Sequence, residues 1–173
     1  EREHSAEVTY SKFVQFLLDQ QWTRLKRYAS EQKVRLYGDL SIFVAHESAD
    51  VWANQPLFHL DSEGQPTLVA GVPPDYFSAT GQRWGNPLYR WDVMESNDFA
   101  WWTKRFRRAQ EQFELLRVDH FRGFESYWEI PASAETAVDG EWQPGPGTKP
   151  FEAAQAALGE LPLIAEDLGL IIK

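Results

Sequence analysis

The sequence contains no cysteine, which excludes disulfide frameworks, cysteine-based zinc sites and thiol nucleophiles. Basic side chains are also scarce. Seventeen Lys and Arg stand against 26 Asp and Glu, for a formal charge of −9 and a pI near 4.9. A protein that binds nucleic acid needs a basic face to neutralise phosphates, so that class is disfavoured. No apolar run approaches the roughly 20 residues that span a bilayer, so no membrane partner is expected. Residues Glu1 to Glu7 are polar and charged and carry no signal-peptide pattern, which points to a cytoplasmic location. A length of 173 residues suits one ordinary domain with a real core.

Aromatic residues, by contrast, are abundant: eight Trp, six Tyr and eleven Phe, 14% of the chain. Many belong to a core, but several fall in stretches too polar and too rich in Gly and Pro for one. Flat rings on a wet surface suit ligands with flat apolar faces, either nucleobases or sugar rings. The negative charge weighs against phosphate-bearing ligands and leaves sugars as the better match.

Apolar positions from Tyr10 to Ser30 recur every three or four residues and predict an amphipathic helix. Val34 to Tyr37 then reads as a strand closed by Gly38-Asp39, and Ile42 to Ala45 as a second apolar run. From about 46 to 96 there is little periodicity. Irregular stretches this long are usually binding loops, lids or linkers, and the aromatic content argues against disorder. Ser96 or Asn97 can cap a helix whose stripe is Phe99, Trp102, Phe106, Ala109 and Phe113. Lys104, Arg105, Arg107 and Arg108 lie off that stripe and read as a solvated face. Leu115 to Asp119 predicts a buried strand. A Gly/Pro-rich excursion from 131 to 147 leads to a short helix begun by Pro150 and ended near Gly159. Pro162 to Ala165 is the final strand.

Strands alternating with helices imply parallel pairing, and each strand ends in a carboxylate: Asp39, Asp119 and Glu166. In a β/α barrel the reacting groups gather where strands end. Asp119 has Arg117, His120 and Arg122 close in sequence, and nearby positive charge holds a carboxyl ionised. Alternation along the strand puts Arg117 and Asp119 on one side. Such a carboxylate suits a nucleophile, or is simply half of a buried Arg–Asp pair. Glu166 emerges from an apolar strand beside Asp167. Desolvation and a like charge raise a pKa, as a general acid requires; a helix cap or a surface residue is the alternative. Together, two such carboxylates describe a retaining glycosidase centre, in which about 5–5.5 Å separates nucleophile from acid. No metal site is expected, because His120 has no second His at ligand spacing and Asp75, Asp92 and Glu95 do not form a calcium loop. Phosphate-loop and serine-nucleophile patterns are missing too, and no cofactor is called for.

The runs LYGDLSIFVA (36–45), SADVW (48–52), AGVPPDYFSATGQRWGNPLYRW (70–91), LLRVDHFRGFESYWEIPA (115–132) and LIAEDLG (163–169) resemble the amylomaltases. These are the 4-α-glucanotransferases, or disproportionating enzymes, of glycoside hydrolase family 77 in the α-amylase clan. The resemblance covers nearly the whole chain from the first strand onward. It implies Asp119 as the nucleophile of a covalent β-glucosyl intermediate and Glu166 as general acid and then base. Arg117 and His120 resemble residues that contact the nucleophile and the sugar, and Asp39 resembles an active-site acid of the family. Tyr76, Phe77, Gln82 and Trp84 are similar to the loop that covers substrate on the acceptor side, while Asn86 and Pro87 match the same motif but could only shape the loop.

The implied partners are maltodextrins or other α-1,4-glucans, as donor and as acceptor. The implied fold is α/β, part of a (β/α)8 TIM barrel covering roughly its third to fifth strands, with long substrate-binding loop insertions. Residues 1–173 would then be an internal piece of the catalytic domain, with an irregular aromatic loop at about 46–96. A whole barrel takes about 250 residues, and the clan's third carboxylate, in a later His-Asp segment, would lie beyond Lys173. Such a piece is expected to be inactive alone and to self-associate through open strand edges. Ser41 and Glu47 replace the Pro and Asp common in the family. A hydrolase of the same clan and a noncatalytic glucan-binding fragment are the alternative readings.

Overall fold

The computed structural model describes residues 4–166. A long helix, α1 (Ser5–Glu31), leads into β1 (Tyr37–Ser41) and the short helix α2 (Ala49–Ala53). Strands β2 (Leu68–Val72) and β3 (Gln82–Pro87) come next, then helices α3 (Trp91–Ser96) and α4 (Ala100–Gln112). Strands β4 (Leu115–Asp119), β5 (Ser126–Pro131) and β6 (Glu141–Pro144) are followed by α5 (Lys149–Leu158) and β7 (Leu163–Ala165). The result is a mixed α/β architecture with two sheets. One is parallel, in the order β1-β4-β7, and the other antiparallel, in the order β3-β2-β5-β6.

The parallel sheet follows from residue alternation. In β4, Leu116 and Val118 are buried, at 2% and 0% exposure, on the face covered by α4. That leaves Arg117 and Asp119 on the opposite face. Register places Asp39 opposite Arg117, Ser41 opposite Asp119 and Ala165 opposite Val118. Trp102, Phe106 and Ala109 recur along α4 at helical spacing and are all buried. The Trp102 ring packs at 5.6 Å from Phe106 and 5.0 Å from Phe124. The cap expected at Ser96 or Asn97 is displaced: Asn97 closes α3, and the residue at the start of α4 is Phe99, left-handed and without a side-chain cap bond. The Asn97 side chain still accepts the Ala100 N–H at 3.3 Å. Removing the fully buried Phe106 ring by Phe106→Ala should cost about 3–5 kcal/mol, read as a lower urea midpoint with an unchanged slope.

Several sequence expectations are corrected. The stretch from 46 to 96 is not irregular: it contains α2, β2, β3 and α3. β2 becomes a strand because both its edges are paired, with β3 and with β5, where Leu68 lies opposite Pro131 and Gly71 opposite Trp128. Gly71 leaves room for this, since a Cβ there would lie 2.1 Å from the Gln82 carbonyl oxygen. The first strand runs 37–41 rather than 34–37, so Asp39 sits mid-strand and not at its end. The second apolar run is buried as coil: Ile42, Phe43 and Val44 are all in the core. Nor is the basic face of α4 uniformly solvated: Arg108 pairs with Asp19 at 2.7 Å, and the Arg105 guanidinium is packed against Trp101 and Trp102.

The helix at 10–30 forms, but Tyr10, Phe13, Phe16 and Tyr28 on it are more than half exposed. Its contact with the body lies toward its C-terminal half. There the Trp22 indole donates to the Gln112 carbonyl at 2.9 Å, and Lys26 donates to the carbonyls of Gln110 and Glu111. Those acceptors are among the last carbonyls of α4, which have no partner within the helix. No helix among the described residues is long and apolar enough to cross a membrane.

Candidate active site

Carboxylates carried by three neighbouring strands of the parallel sheet converge on one guanidinium. Arg117 points away from the core on β4, flanked by β1 on one side and β7 on the other. Its Nε donates to Asp39 Oδ1 at 3.0 Å and its Nη2 to Asp39 Oδ2 at 2.7 Å, a bidentate pair. The same Nη2 reaches Asp119 Oδ1 at 3.0 Å, and Nη1 reaches Glu166 Oε1 at 3.1 Å. The carboxylates picked out of the sequence therefore share one cation. Asp39 is there because of register rather than because its strand stops.

The second oxygen of Glu166 is held by the backbone. His120, immediately after β4, adopts a left-handed conformation with φ of 50°. This turn directs its N–H to Glu166 Oε2 at 2.6 Å. Non-glycine residues adopt such a φ at a cost of about 1–3 kcal/mol and do so disproportionately at functional sites. The Glu166 side chain is the least exposed of the three carboxylates, at 14%.

Above Asp119 lies a cavity of about 180 Å³ lined by Ser41, Ile42, Phe43, Trp84, Asn86, Asp119 and His120. The Trp84 ring meets the His120 ring edge-on at 4.9 Å, and its indole donates to the Gln82 side chain at 3.0 Å. Trp84, His120 and, through Trp84, Gln82 thus come together with Asp119. Tyr76 and Phe77 do not. They stand at 105% and 95% exposure on the turn between β2 and β3, held open by Asp75, whose carboxylate accepts the N–H groups of Phe77 and Ser78. Ser41, Ile42 and Phe43 are lining residues that the sequence does not single out for the site, and Asn86, which on its motif could only shape the loop, lines the cavity with them. The only available signal was their place within the LYGDLSIFVA and RWGNP runs.

The electrostatics depart from expectation at Asp119. Burial of the carboxyl, followed by the nearby charge of Glu166, pushes Asp119 above the ordinary aspartate range, while Arg117 opposes them. The sequence suggested the reverse, because it shows the basic neighbours but not the acid arriving from β7. Burial also lowers His120, against the pull of Glu166, so its imidazole is neutral near pH 7. Its Nε2 is buried without a hydrogen-bond partner. The three acidic partners raise Arg117, with the hydrogen bonds to Asp39 foremost. Two carboxylates on one cation beside an aromatic wall are the groups that acid–base and nucleophilic chemistry on a sugar acetal uses. The raised one, Asp119, lines the cavity and is kept toward the ionised form by Arg117.

Residues 1–173 match the family model described as 4-alpha-glucanotransferase over the entire chain. The chain belongs to this family. It is 58% identical over 165 residues to a 4-alpha-glucanotransferase of Thermus thermophilus, covering 95% of this chain and 33% of that protein. A 4-alpha-glucanotransferase of Synechocystis is 54% identical over 167 residues, with the same coverage of each. Among solved structures, the amylomaltase of Streptococcus agalactiae in complex with acarbose superposes with a TM-score of 0.94 at 44% identity. That match covers 98% of this chain and 34% of the other. The chain thus spans about a third of the length of the 4-alpha-glucanotransferases it matches.

Proposed function

We propose that the full-length protein is a retaining 4-α-glucanotransferase, moving α-1,4-glucan segments between maltodextrins, and that this chain carries its nucleophile and its acid–base. The observation that carries the reading is the Arg117 guanidinium bridging Asp39, Asp119 and Glu166 beneath an aromatic cavity. Asp119 attacks the anomeric carbon of the donor as Glu166 gives its proton to the departing glycosidic oxygen. This leaves a β-glucosyl ester on Asp119 and a carboxylate at Glu166. Glu166 then takes the proton of an acceptor hydroxyl, whose oxygen attacks the same carbon and releases Asp119. Arg117 orients the nucleophile, and Asp39 holds Arg117 and meets sugar hydroxyls. His120 and Trp84 contact the reacting sugar, with Gln82 fixing the Trp84 indole. Tyr76 and Phe77, fully exposed, receive the acceptor chain by stacking.

Three parallel strands with carboxylates at one end, in a chain a third as long as its relatives, support a larger reading. Residues 1–173 are an internal part of a (β/α)8 barrel, roughly its third to fifth strands. The antiparallel sheet inserted between those strands carries the substrate loop. On this reading the isolated piece is inactive and self-associates through open strand edges.

Incubating the full-length protein with maltotriose and separating the products tests the reaction. A ladder of glucose plus maltodextrins longer than three units supports transfer. Glucose and maltose alone would make it a hydrolase, and glucan binding without turnover would leave a noncatalytic module. Trp84→Ala should keep bond cleavage while moving products from transfer toward hydrolysis by about tenfold, because an opened aromatic wall admits water and loses the acceptor.

A further inference from the structure

One wall of the candidate cavity is the end of β1 and the coil that follows it. β1 ends at Ser41, and Ile42 and Phe43 continue without strand partners. Backbone carbonyls in such a place need donors from elsewhere, and two side chains from other elements supply them. Arg105 on α4 donates through Nη2 to the Ser41 carbonyl at 2.8 Å, and its Nη1 reaches the Ile42 carbonyl at 3.4 Å. The Tyr89 hydroxyl donates to that same Ile42 carbonyl at 2.6 Å.

Arg105 is itself held. Its guanidinium lies 4.9 Å from the Trp101 ring and 4.6 Å from the Trp102 ring, and stacking of this kind fixes the plane of the fork. Burial drives the Tyr89 hydroxyl far upward, so it stays a donor at any working pH. The pinned segment carries Phe43, stacked on Tyr89 at 5.7 Å and 6.4 Å from both Trp84 and His120. The chain of contacts thus runs from α4, through two carbonyls, to the wall facing the nucleophile.

We infer that Arg105, with Tyr89, is a positioning residue for the sugar site: it fixes the Ser41–Phe43 wall and thereby the Trp84–His120 pair. Neither side chain lines the cavity above Asp119, so both act through the backbone they hold. This inference rests on the glucanotransferase reading for its kinetic consequence, but not for the pinning itself. A misplaced wall weakens sugar binding and lets water compete, while Asp119, Glu166 and Arg117 keep their mutual geometry. The effect therefore falls on KM and on the ratio of transfer to hydrolysis more than on kcat.

The test compares Arg105→Met, Arg105→Lys and Tyr89→Phe with wild type in the full-length protein, using maltotriose kinetics and product ratios. Hydrogen exchange of the 41–45 amides is followed in parallel. Arg105→Met should raise KM about tenfold with kcat within about threefold. It should also increase the hydrolytic share and speed exchange at 41–45. Arg105→Lys, able to reach one carbonyl but not to form the fork, should fall between, and Tyr89→Phe should show the milder half of the same pattern. If Arg105→Met does not fold, the Lys and Phe variants carry the test. Unchanged KM and product ratio per folded enzyme would overturn the proposal, even with a lowered melting point, as would equal losses in kcat across all three. Unchanged exchange at 41–45 would overturn it as well. Failure of the glucanotransferase reading is separate, because wild type itself would then make no ladder while the exchange comparison still reads out the pinning.

Discussion

Asp119→Asn and Glu166→Gln should each abolish practical glucan transfer by the full-length protein, and they should do so differently. Loss of a positioned acid–base costs about 10²–10⁴-fold, and loss of the nucleophile removes the covalent path altogether. A donor whose leaving group needs no proton, such as a maltosyl fluoride, separates the two. With Glu166→Gln the first step no longer needs the missing proton, so fluoride should appear in a burst of about one equivalent and the ester on Asp119 should persist. Asp119→Asn should give no burst with any donor. The structure gives a reason to expect this division of labour. Asp119 lines the cavity, whereas Glu166, at 14% exposure, is not among its lining residues and is held by Arg117 and the His120 N–H. A burst from Asp119→Asn, or rescue of neither variant by the fluoride, would reverse or remove the assigned roles.

How much of this was legible in the sequence depends on where the decisive forces lie. β4 reads correctly because its signal is local: Leu116 and Val118 alternate with Arg117 and Asp119, and burial follows the alternation. The helix at 149–158 reads correctly for the same kind of reason, with Pro150 in its first turn and Gly159 after its end at φ of 81°. The antiparallel sheet does not read at all. β3, Gln-Arg-Trp-Gly-Asn-Pro, has turn composition, and β2 contains a glycine. β2 is a strand because β5 offers it a partner some 60 residues later, and β3 because β2 then presents its other edge; pairing across such a distance leaves no local period.

The site shows the same limit. Two of its acids were found as strand-end residues, which is a local property. Asp39 was found for a reason the structure corrects, since it stands mid-strand opposite Arg117. The direction of Asp119 could not be read from its neighbours, because its two largest causes, burial of the carboxyl and then the charge of Glu166, 47 positions away in the chain and adjacent in space, both come from the fold. Arg105 was assigned to a solvated face because a helical wheel shows which side a residue is on. It does not show that Ser41 and Ile42 wait there with unpaired carbonyls.

Arg117→Met is the second large effect expected, and the sign of its pH dependence is the informative part. In the native site Arg117 is the one group that lowers Asp119 against burial, Glu166 and Asp39. Its removal must move Asp119 further up. A nucleophile works only when ionised, so activity falls as pH drops through the folded pKa of Asp119, and the acidic limb of the pH profile should shift to higher pH in the variant. At the optimum, loss of the fork that orients three carboxylates should lower kcat/KM by about 10²–10³-fold, the range seen when one charge-stabilising donor is removed from an active site. Arg117→Lys should recover only part of this. An ammonium is a point charge with freely turning donors, and it cannot hold Asp39 bidentately while reaching Asp119 and Glu166 together. Lysine should therefore restore the acidic limb more fully than the rate, because the limb answers to charge and the rate to geometry. A lysine variant that recovered the rate but left the limb displaced would overturn this assignment, because the rate would then not need the fork and a positive charge at this position would not be what lowers Asp119.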